Sequence, residues 1–265
     1  MIDTHTHIYL EEFDADRAEV IRRAIQAGVE AILLPNIDVT TLKRLFNLCS
    51  DERGFAFPLM GLHPTSVDHT YASQLSRIEK TLSQHTFYGI GEIGIDLYWE
   101  QRYRQEQKEV FEEQLRWSRD LHLPVSIHTR NAFAEVFDSI HKVGADGLRG
   151  VFHCFSGAPE DVAEIRRLSG FMLGVNGSVT YRKSSLPAVL RQAGLEMLVS
   201  ETDAPYLSPL PWRGKRNEPS FLKEIVGKIA SIFEISPEKA AASLKKNALR
   251  VFDLQAVIDS SKKKQ

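Results

Sequence analysis

The stretch Pro124-Val125-Ser126-Ile127-His128 is a short apolar, β-branched run, followed at once by Thr129-Arg130. Longer amphipathic stretches flank it, Tyr103–Leu121 before and Ala132–Val143 after. A strand-like run between two helix-like ones is one link of a βαβ chain and predicts a parallel sheet. Outward from it the alternation repeats. Strand patterns fall at Ile2–Ile8, Ala31–Pro35, Ala56–Leu62, Thr86–Ile93, Pro124–His128, Arg149–Phe155, Phe171–Val175 and Glu196–Glu201. Helix patterns fall at Asp14–Ala27, Thr40–Ser50, Gln74–Ser83, Pro159–Leu168 and Leu186–Ala193 as well. Eight such units in 265 residues suit an α/β fold closed into a (β/α)8 TIM barrel, which typically takes ~250 residues. No GxGxxG follows the first strand, which argues against an open dinucleotide-binding sheet. After a loop rich in Pro, Gly and charge at 204–219, helices are expected at Ser220–Phe233, Pro237–Lys246 and Asn247–Leu254.

The bulk composition narrows the function. Hydrophobic residues make up 43% of the chain and the formal net charge is -2, which argues against a broad basic surface for gripping duplexes. The first residues begin a strand pattern with no basic or apolar leader, so no signal peptide is expected. No apolar run is long enough to span a membrane. The two cysteines, Cys49 and Cys154, read as reduced thiols of a cytoplasmic protein. No obligate protein partner is evident.

The chemistry-bearing residues sit at the C-terminal ends of the predicted strands, where barrel active sites are built. His5 and His7 are two apart on the first strand, so their side chains share a face. Glu92 lies in Gly89-Ile90-Gly91-Glu92-Ile93-Gly94-Ile95-Asp96, whose glycines either permit close backbone approach or shape a turn. His128, His153 and Asp203 end the fifth, sixth and eighth runs. Singly, each reads as well as a packed core residue or a paired acid. Six from five strands at one mouth point to a metal site. Four His and two carboxylates exceed the needs of one catalytic ion. The expectation is therefore two ions bridged by Glu92, with His5, His7, Glu92 and Asp203 on one and Glu92, His128 and His153 on the other. Two divalent charges each against two carboxylates leave a positive mouth that favours a phosphodiester. Arg130, Arg213, Lys215 and Arg216 are candidate phosphate-binding residues, the last three equally readable as a solvated loop. His63 fits a phosphate contact, a further ion or a hydrogen-bonded wall. Tyr98, Trp99 and Tyr181 suit base stacking or, as the simpler reading, loop packing. Cys154, next to an inward His153, is expected to point away from the axis.

Taken in order, these motifs resemble the TatD family of metal-dependent deoxyribonucleases, within the amidohydrolase-like barrels. The resemblance rests on Asp3-Thr4-His5-Thr6-His7, Gly61-Leu62-His63-Pro64, Gly91-Glu92-Ile93-Gly94-Ile95-Asp96, His153-Cys154-Phe155-Ser156-Gly157 and Glu201-Thr202-Asp203-Ala204-Pro205-Tyr206-Leu207. It extends to Arg213-Gly214-Lys215-Arg216-Asn217-Glu218-Pro219 and Asn247-Ala248-Leu249-Arg250-Val251-Phe252. Gly174-Val175-Asn176-Gly177 departs from it, being more polar than the family's usual run. The resemblance implies that His5, His7, Glu92, His128, His153 and Asp203 bind two divalent ions (Mg2+, Mn2+ or Zn2+). It implies a 3'-5' exonuclease on single-stranded DNA ends, acting through a two-metal-activated water, with RNA as the other candidate polymer. Asp203, Glu92 and His63 are then the candidate catalytic residues. The alternative is a metallohydrolase of esters or amides, such as one deacylating D-aminoacyl-tRNA. Relatives in the wider superfamily that bridge metals with a carboxylated lysine differ here, because Glu92 takes that place. A binding protein that has lost catalysis is a third reading, to which the presence of all six candidate ligands gives no support. Residues 1–258 are thus read as one metal-dependent hydrolase barrel and 259–265 as a flexible basic tail.

Overall fold

The computed structural model describes residues 1–99 and 101–262. The chain runs β1 (Ile2–Asp3), α1 (Arg17–Gln26), β2 (Ala31–Pro35), α2 (Leu42–Asp51), β3 (Ala56–Leu59), α3 (Tyr71–Gln84), β4 (Ile90–Asp96) and α4 (Arg104–Leu121). It continues with β5 (Val125–Arg130), α5 (Phe133–Val143), β6 (Gly150–Phe152), α6 (Pro159–Leu168), β7 (Phe171–Val175), α7 (Leu186–Ala193) and β8 (Leu198–Ser200). Three more helices follow, α8 (Leu222–Phe233), α9 (Pro237–Phe252) and α10 (Gln255–Lys262). All eight expected strands are present.

The ladders are parallel throughout, β1-β2-β3 and β4-β5-β6-β7-β8. Backbone hydrogen bonds close the ring at both seams. Met60 N donates to Gly89 O (3.0 Å) and Gly91 N to Met60 O (3.0 Å), joining β3 to β4. Thr4 N donates to Ser200 O (3.2 Å) and Asp203 N to His5 O (2.9 Å), joining β8 to β1. The fold is a (β/α)8 TIM barrel. Apolar side chains fill its two compartments. One packs the helix ring against the outer strand faces. The other joins Ile2, Leu33, Phe57, Val151, Met172 and Val199 to Val251, Phe252, Leu254 and Ile258, so that the end of α9 and α10 are packed on strand residues of both ladders.

Several boundaries differ from the sequence expectation. β1 ends at Asp3: beyond it Thr6 N still donates to Leu33 O of β2 (3.1 Å), while Thr4 N donates to Ser200 O of β8 (3.2 Å) and His7 N to Ala204 O after it (2.8 Å). The two helices expected at 237–254 are one, α9. Asn247 does not break it, since its buried amide donates to Leu195 O (2.9 Å) and Leu198 O (2.8 Å). The expected tail begins inside a helix, with 259–262 belonging to α10; residues 263–265 lie outside the described residues. No helix among the described residues is long and apolar enough to cross a membrane.

Two buried glutamines of α4 brace the loops that carry the site. Gln114 Oε1 accepts from Leu62 N (2.7 Å), just before His63. Gln107 Oε1 accepts from Asp96 N (2.8 Å) at the end of β4.

Candidate metal centre

At the C-terminal mouth, five of the chain's nine histidines surround one buried carboxylate. The distances to Glu92 are 2.9 Å from His128 Nδ1, 3.1 Å from His5 Nε2 and from His63 Nε2, 3.5 Å from His7 Nε2 and 3.9 Å from His153 Nε2. Asp203 Oδ1 closes the other side, 3.7 Å from His7 Nε2 and 3.8 Å from His153 Nε2. Every expected ligand is therefore in one cluster, and all but His5 line a cavity of about 650 Å³.

The backbone is shaped to allow this. Gly94 has φ +141° and a Cβ there would lie 2.0 Å from His128 O. This glycine thus permits close approach of β4 and β5, where Gly94 pairs with His128. Asp203 is held in the left-handed region at φ +59°, a conformation costing roughly 1–3 kcal/mol for a non-glycine residue. The seam bond from its N–H to His5 O holds it there.

The partners behind the histidines decide which can bind a cation. A metal-binding imidazole has one nitrogen tied to an acceptor and offers the lone pair of the other. His5 Nδ1 meets Ser126 Oγ (3.0 Å) and its Nε2 faces the cluster. His7 Nδ1 meets Tyr9 Oη (3.2 Å), whose own proton goes to Pro35 O (2.6 Å), so His7 Nδ1 is the donor. His128 Nε2 meets Asp96 Oδ2 (2.9 Å). His153 Nδ1 lies 2.9 Å from Glu201 Oε1, an ion-pair contact outside hydrogen-bond alignment. His63 is wired the other way. Thr65 N donates to His63 Nδ1 (3.1 Å), which places the proton of the neutral ring on Nε2, the nitrogen facing Glu92. This donor set, four imidazoles with backing acceptors and two carboxylates, fits divalent metal ions.

Asp203 is pushed up to about 6 by burial, against the pull of His153 and His7. Burial pushes Glu92 up as well, but His63, His5 and His128 outweigh it and hold its carboxyl well below the usual range. Burial lowers His63 more than Glu92 raises it. For His128 the carboxylates Asp96 and Glu92 prevail over burial and raise it.

The structure redraws the expected partition. His153 stacks on His5, with ring centroids 3.3 Å apart and planes at 15°. It groups with His5 and Glu92, whereas His63 is the residue that groups with Glu92 and His128. Cys154 does not turn away: β6 ends at Phe152 and Cys154 has φ +49°, which breaks the strand alternation. It lines the cavity and accepts a hydrogen bond from Asn176 Nδ2 at 2.8 Å. Sequence reasoning passed over Asp96 and Glu201. The available signal was their spacing, Asp96 four residues after Glu92 and Glu201 two before Asp203, which puts acid on one face of each strand end. These two acids also revise the charge. Two divalent ions would meet four carboxylates rather than two, so the expected positive excess at the mouth disappears.

The basic candidates separate. Arg130 lines the cavity, its guanidinium 3.9 Å from the Tyr98 ring centroid and 5.2 Å from that of Trp99. Both rings are exposed, Trp99 at 69%, and they pack edge-to-face on each other with centroids 4.8 Å apart. Tyr181 is half-buried, and its hydroxyl donates to Ser208 O (3.1 Å). Arg213 lies over Tyr181 and lines an adjoining cavity. Lys215 is exposed and lines neither cavity. Arg216 is occupied elsewhere. It donates to Glu12 O (2.6 Å) and Asp16 Oδ2 (2.7 Å) and covers Phe13, so its guanidinium clamps that loop and lines neither cavity.

Comparison with known proteins agrees with this geometry. The model of the family described as TatD related DNase matches residues 2–253. The chain is 34% identical to the uncharacterised metal-dependent hydrolase YabD of Bacillus subtilis, over 95% of this chain and 98% of the relative. It is 29% identical to a protein of Pantoea vagans named 3'-5' ssDNA/RNA exonuclease TatD, over 96% and 100%. Among solved structures, YjjV of Escherichia coli K12, a TatD homologue, superposes with a TM-score of 0.89 at 26% identity, over 96% and 98%.

Proposed function

The chain belongs to the TatD-related DNase family of metal-dependent hydrolases, and from that premise we propose that it is a phosphodiesterase trimming single-stranded DNA from the 3' end. The observation that carries this reading is the buried Glu92 ringed by imidazoles whose far nitrogens are tied back. His5, His7 and Asp203 with Glu92 would hold one divalent ion, and Glu92 with His128 the other, His153 standing between them. Bound there, the ions would polarise the scissile phosphoryl group and acidify a water.

The protein groups then have distinct tasks. Asp203, buried against the cavity between His7 and His153, would accept the proton of the attacking water. Arg130, on the cavity rim, pairs with non-bridging phosphoryl oxygens as charge grows on them. His63 Nε2–H donates to Glu92 or to a phosphoryl oxygen and keeps the bridging carboxylate in place. Trp99 and Tyr98, exposed beside Arg130, offer ring faces for the terminal base. The exonuclease name carried by the Pantoea vagans relative supports the polarity chosen.

The test is reconstitution. Metal-stripped protein is titrated with Mg2+, Mn2+ and Zn2+ and given a single strand labelled at its 5' end. A ladder shortening stepwise from the 3' end, restored by metal and absent in His128→Ala, is the expected result. Absence of cleavage with metal bound would sink the nuclease reading and move the search to esters and aminoacyl-tRNA.

A further inference from the structure

Beside the metal cavity lies a second one of about 710 Å³, and the two adjoin at Ser156 and Ser178, which line both. Among the described residues its charged lining consists of Arg182, Lys183 and Arg213, with no carboxylate. The other polar contributors are serine hydroxyls and Tyr181. It forms where the loop after β7 meets the loop after β8, and the two loops are tied together. Leu210 N donates to Thr180 Oγ1 (2.8 Å), besides the bond from Tyr181 to Ser208 O. The start of α7 opens onto it, at Ser185 and Leu186, and the Ser185 side chain makes no capping bond. The positive end of that helix therefore adds to the cations.

Most surface arginines of this protein are engaged, as Arg216 is with Asp16 and Arg104 with Glu135. Among the described residues, Arg182, Lys183 and Arg213 have no carboxylate partner. Arg182, Lys183 and Arg213 are also exposed, so the cavity is an open trough rather than a closed pocket. Acid-free walls of guanidinium, ammonium and hydroxyl groups are the chemistry that recognises phosphate. The ring face of Tyr181 is taken by Arg213 at 4.6 Å, which leaves the trough suited to backbone contacts and not to reading bases.

Resting on the exonuclease reading, we propose that this trough holds the backbone phosphates of the undigested part of the strand whose 3' end lies in the metal cavity. It supplies the attraction for the polymer that the metal centre, with its four carboxylates, does not. Recognition through phosphate makes the enzyme tolerant of sequence and of sugar, and dependent on salt.

Binding is measured by fluorescence anisotropy with a short 5'-labelled oligo-dT, and with oligo-U of equal length, in a chelator so that nothing is cut. Each phosphate contact on a single strand contributes about 0.7 to the slope of log affinity against log salt. Arg182→Ala/Lys183→Ala should therefore lower that slope by about 1.4 and weaken binding by about tenfold at low salt. Arg182→Lys, which keeps the charge, should retain most of both. An unchanged slope in the double variant, or a loss confined to one of the two polymers, overturns the proposal. If the unaltered protein cleaves DNA once metal is restored but the double variant binds normally, the trough fails and the nuclease reading stands. If the unaltered protein shows the salt-dependent binding that the double variant loses, yet cleaves nothing with any metal, the trough stands and the nuclease reading fails.

Discussion

Glu201→Gln should weaken metal binding about 10–100-fold while leaving the fold intact, because the carboxylate stands behind His153 and such backing partners typically carry that factor. In free energy this is about 1.4–2.8 kcal/mol at about 1.4 kcal/mol per tenfold. The structure says why glutamine isolates the effect. Glu201 is fully buried, and its Oε1 accepts from Cys154 N (2.6 Å) besides facing His153 Nδ1 (2.9 Å). A glutamine carbonyl at that position keeps both neighbours supplied with an acceptor. Its amide nitrogen then replaces Oε2 near Thr4 Oγ1, 3.5 Å away. That hydroxyl also approaches Ser200 O as a donor (3.3 Å), so its lone pairs are free to receive the new N–H. What is lost is the negative charge that raises the basicity of His153. Glu201→Ala is the contrasting variant, since it also strands the buried Cys154 N–H, at a cost of about 1–3 kcal/mol to the fold. The assay is Mn2+ titration against a competing chelator, with thermal unfolding of the metal-free protein measured alongside. Unchanged metal affinity in Glu201→Gln would refute the reasoning. So would a loss of affinity matched by an equal loss of metal-free stability.

Three further outcomes are expected. Gly94→Ala should destabilise the protein by more than about 2 kcal/mol in denaturant titration, since the added Cβ meets the His128 carbonyl at 2.0 Å and φ is +141°; a near-neutral result would mean that β4 and β5 can part. Arg216→Ala should cost about 0.5–1 kcal/mol of stability, the range of a partly exposed ion pair, and leave the KM for an oligonucleotide unchanged; a raised KM would return Arg216 to the substrate. Glu218 is pushed up by burial but held lower overall by Arg23 and Ser220, with Arg23 Nε donating to Oε1 at 2.8 Å. Its folded value being depressed, its stabilisation is present above the unfolded value near 4.3 and is lost as pH falls through the folded one. The Tm should therefore drop below about pH 4, and Arg23→Met should flatten that drop; an identical pH profile in the variant would exclude the pair as its source.

Much of the barrel was legible because its strands are buried on both faces and read as continuous apolar runs. β2 and β7 fall at the expected bounds, as do α6 and α7. The same local logic picked out six residues that the fold brings together at one mouth, since strand ends are visible in sequence. It failed where partners are distant or the backbone departs from its element. Arg216 looked like a phosphate ligand because Asp16, 200 residues away, is not adjacent to it in sequence. Cys154 was assigned to the outer face by an alternation that its positive φ ends. His63 was ambiguous because its tautomer depends on Thr65 N–H, a backbone direction that residue types do not encode.

The polar run at Gly174–Gly177 shows how these failures connect. Glu201 follows β8 and His153 follows β6, so their contact must pass over β7, which lies between them in the sheet. Gly174 is the β7 residue at that crossing, and a Cβ on it would lie 2.3 Å from Glu201 Oε2 and 2.7 Å from Oε1. A larger residue here would fill the space through which the carboxylate reaches the imidazole. Asn176, two residues on, holds Cys154 Sγ, and it also accepts Ser178 N–H at 3.1 Å to start the turn leading to the basic trough. The seventh strand is thus small where the backing acid must pass and polar where it turns toward the phosphate-binding loop. Its polarity follows from the second layer of the centre, and it ties the charge behind His153 to the surface proposed to hold the strand.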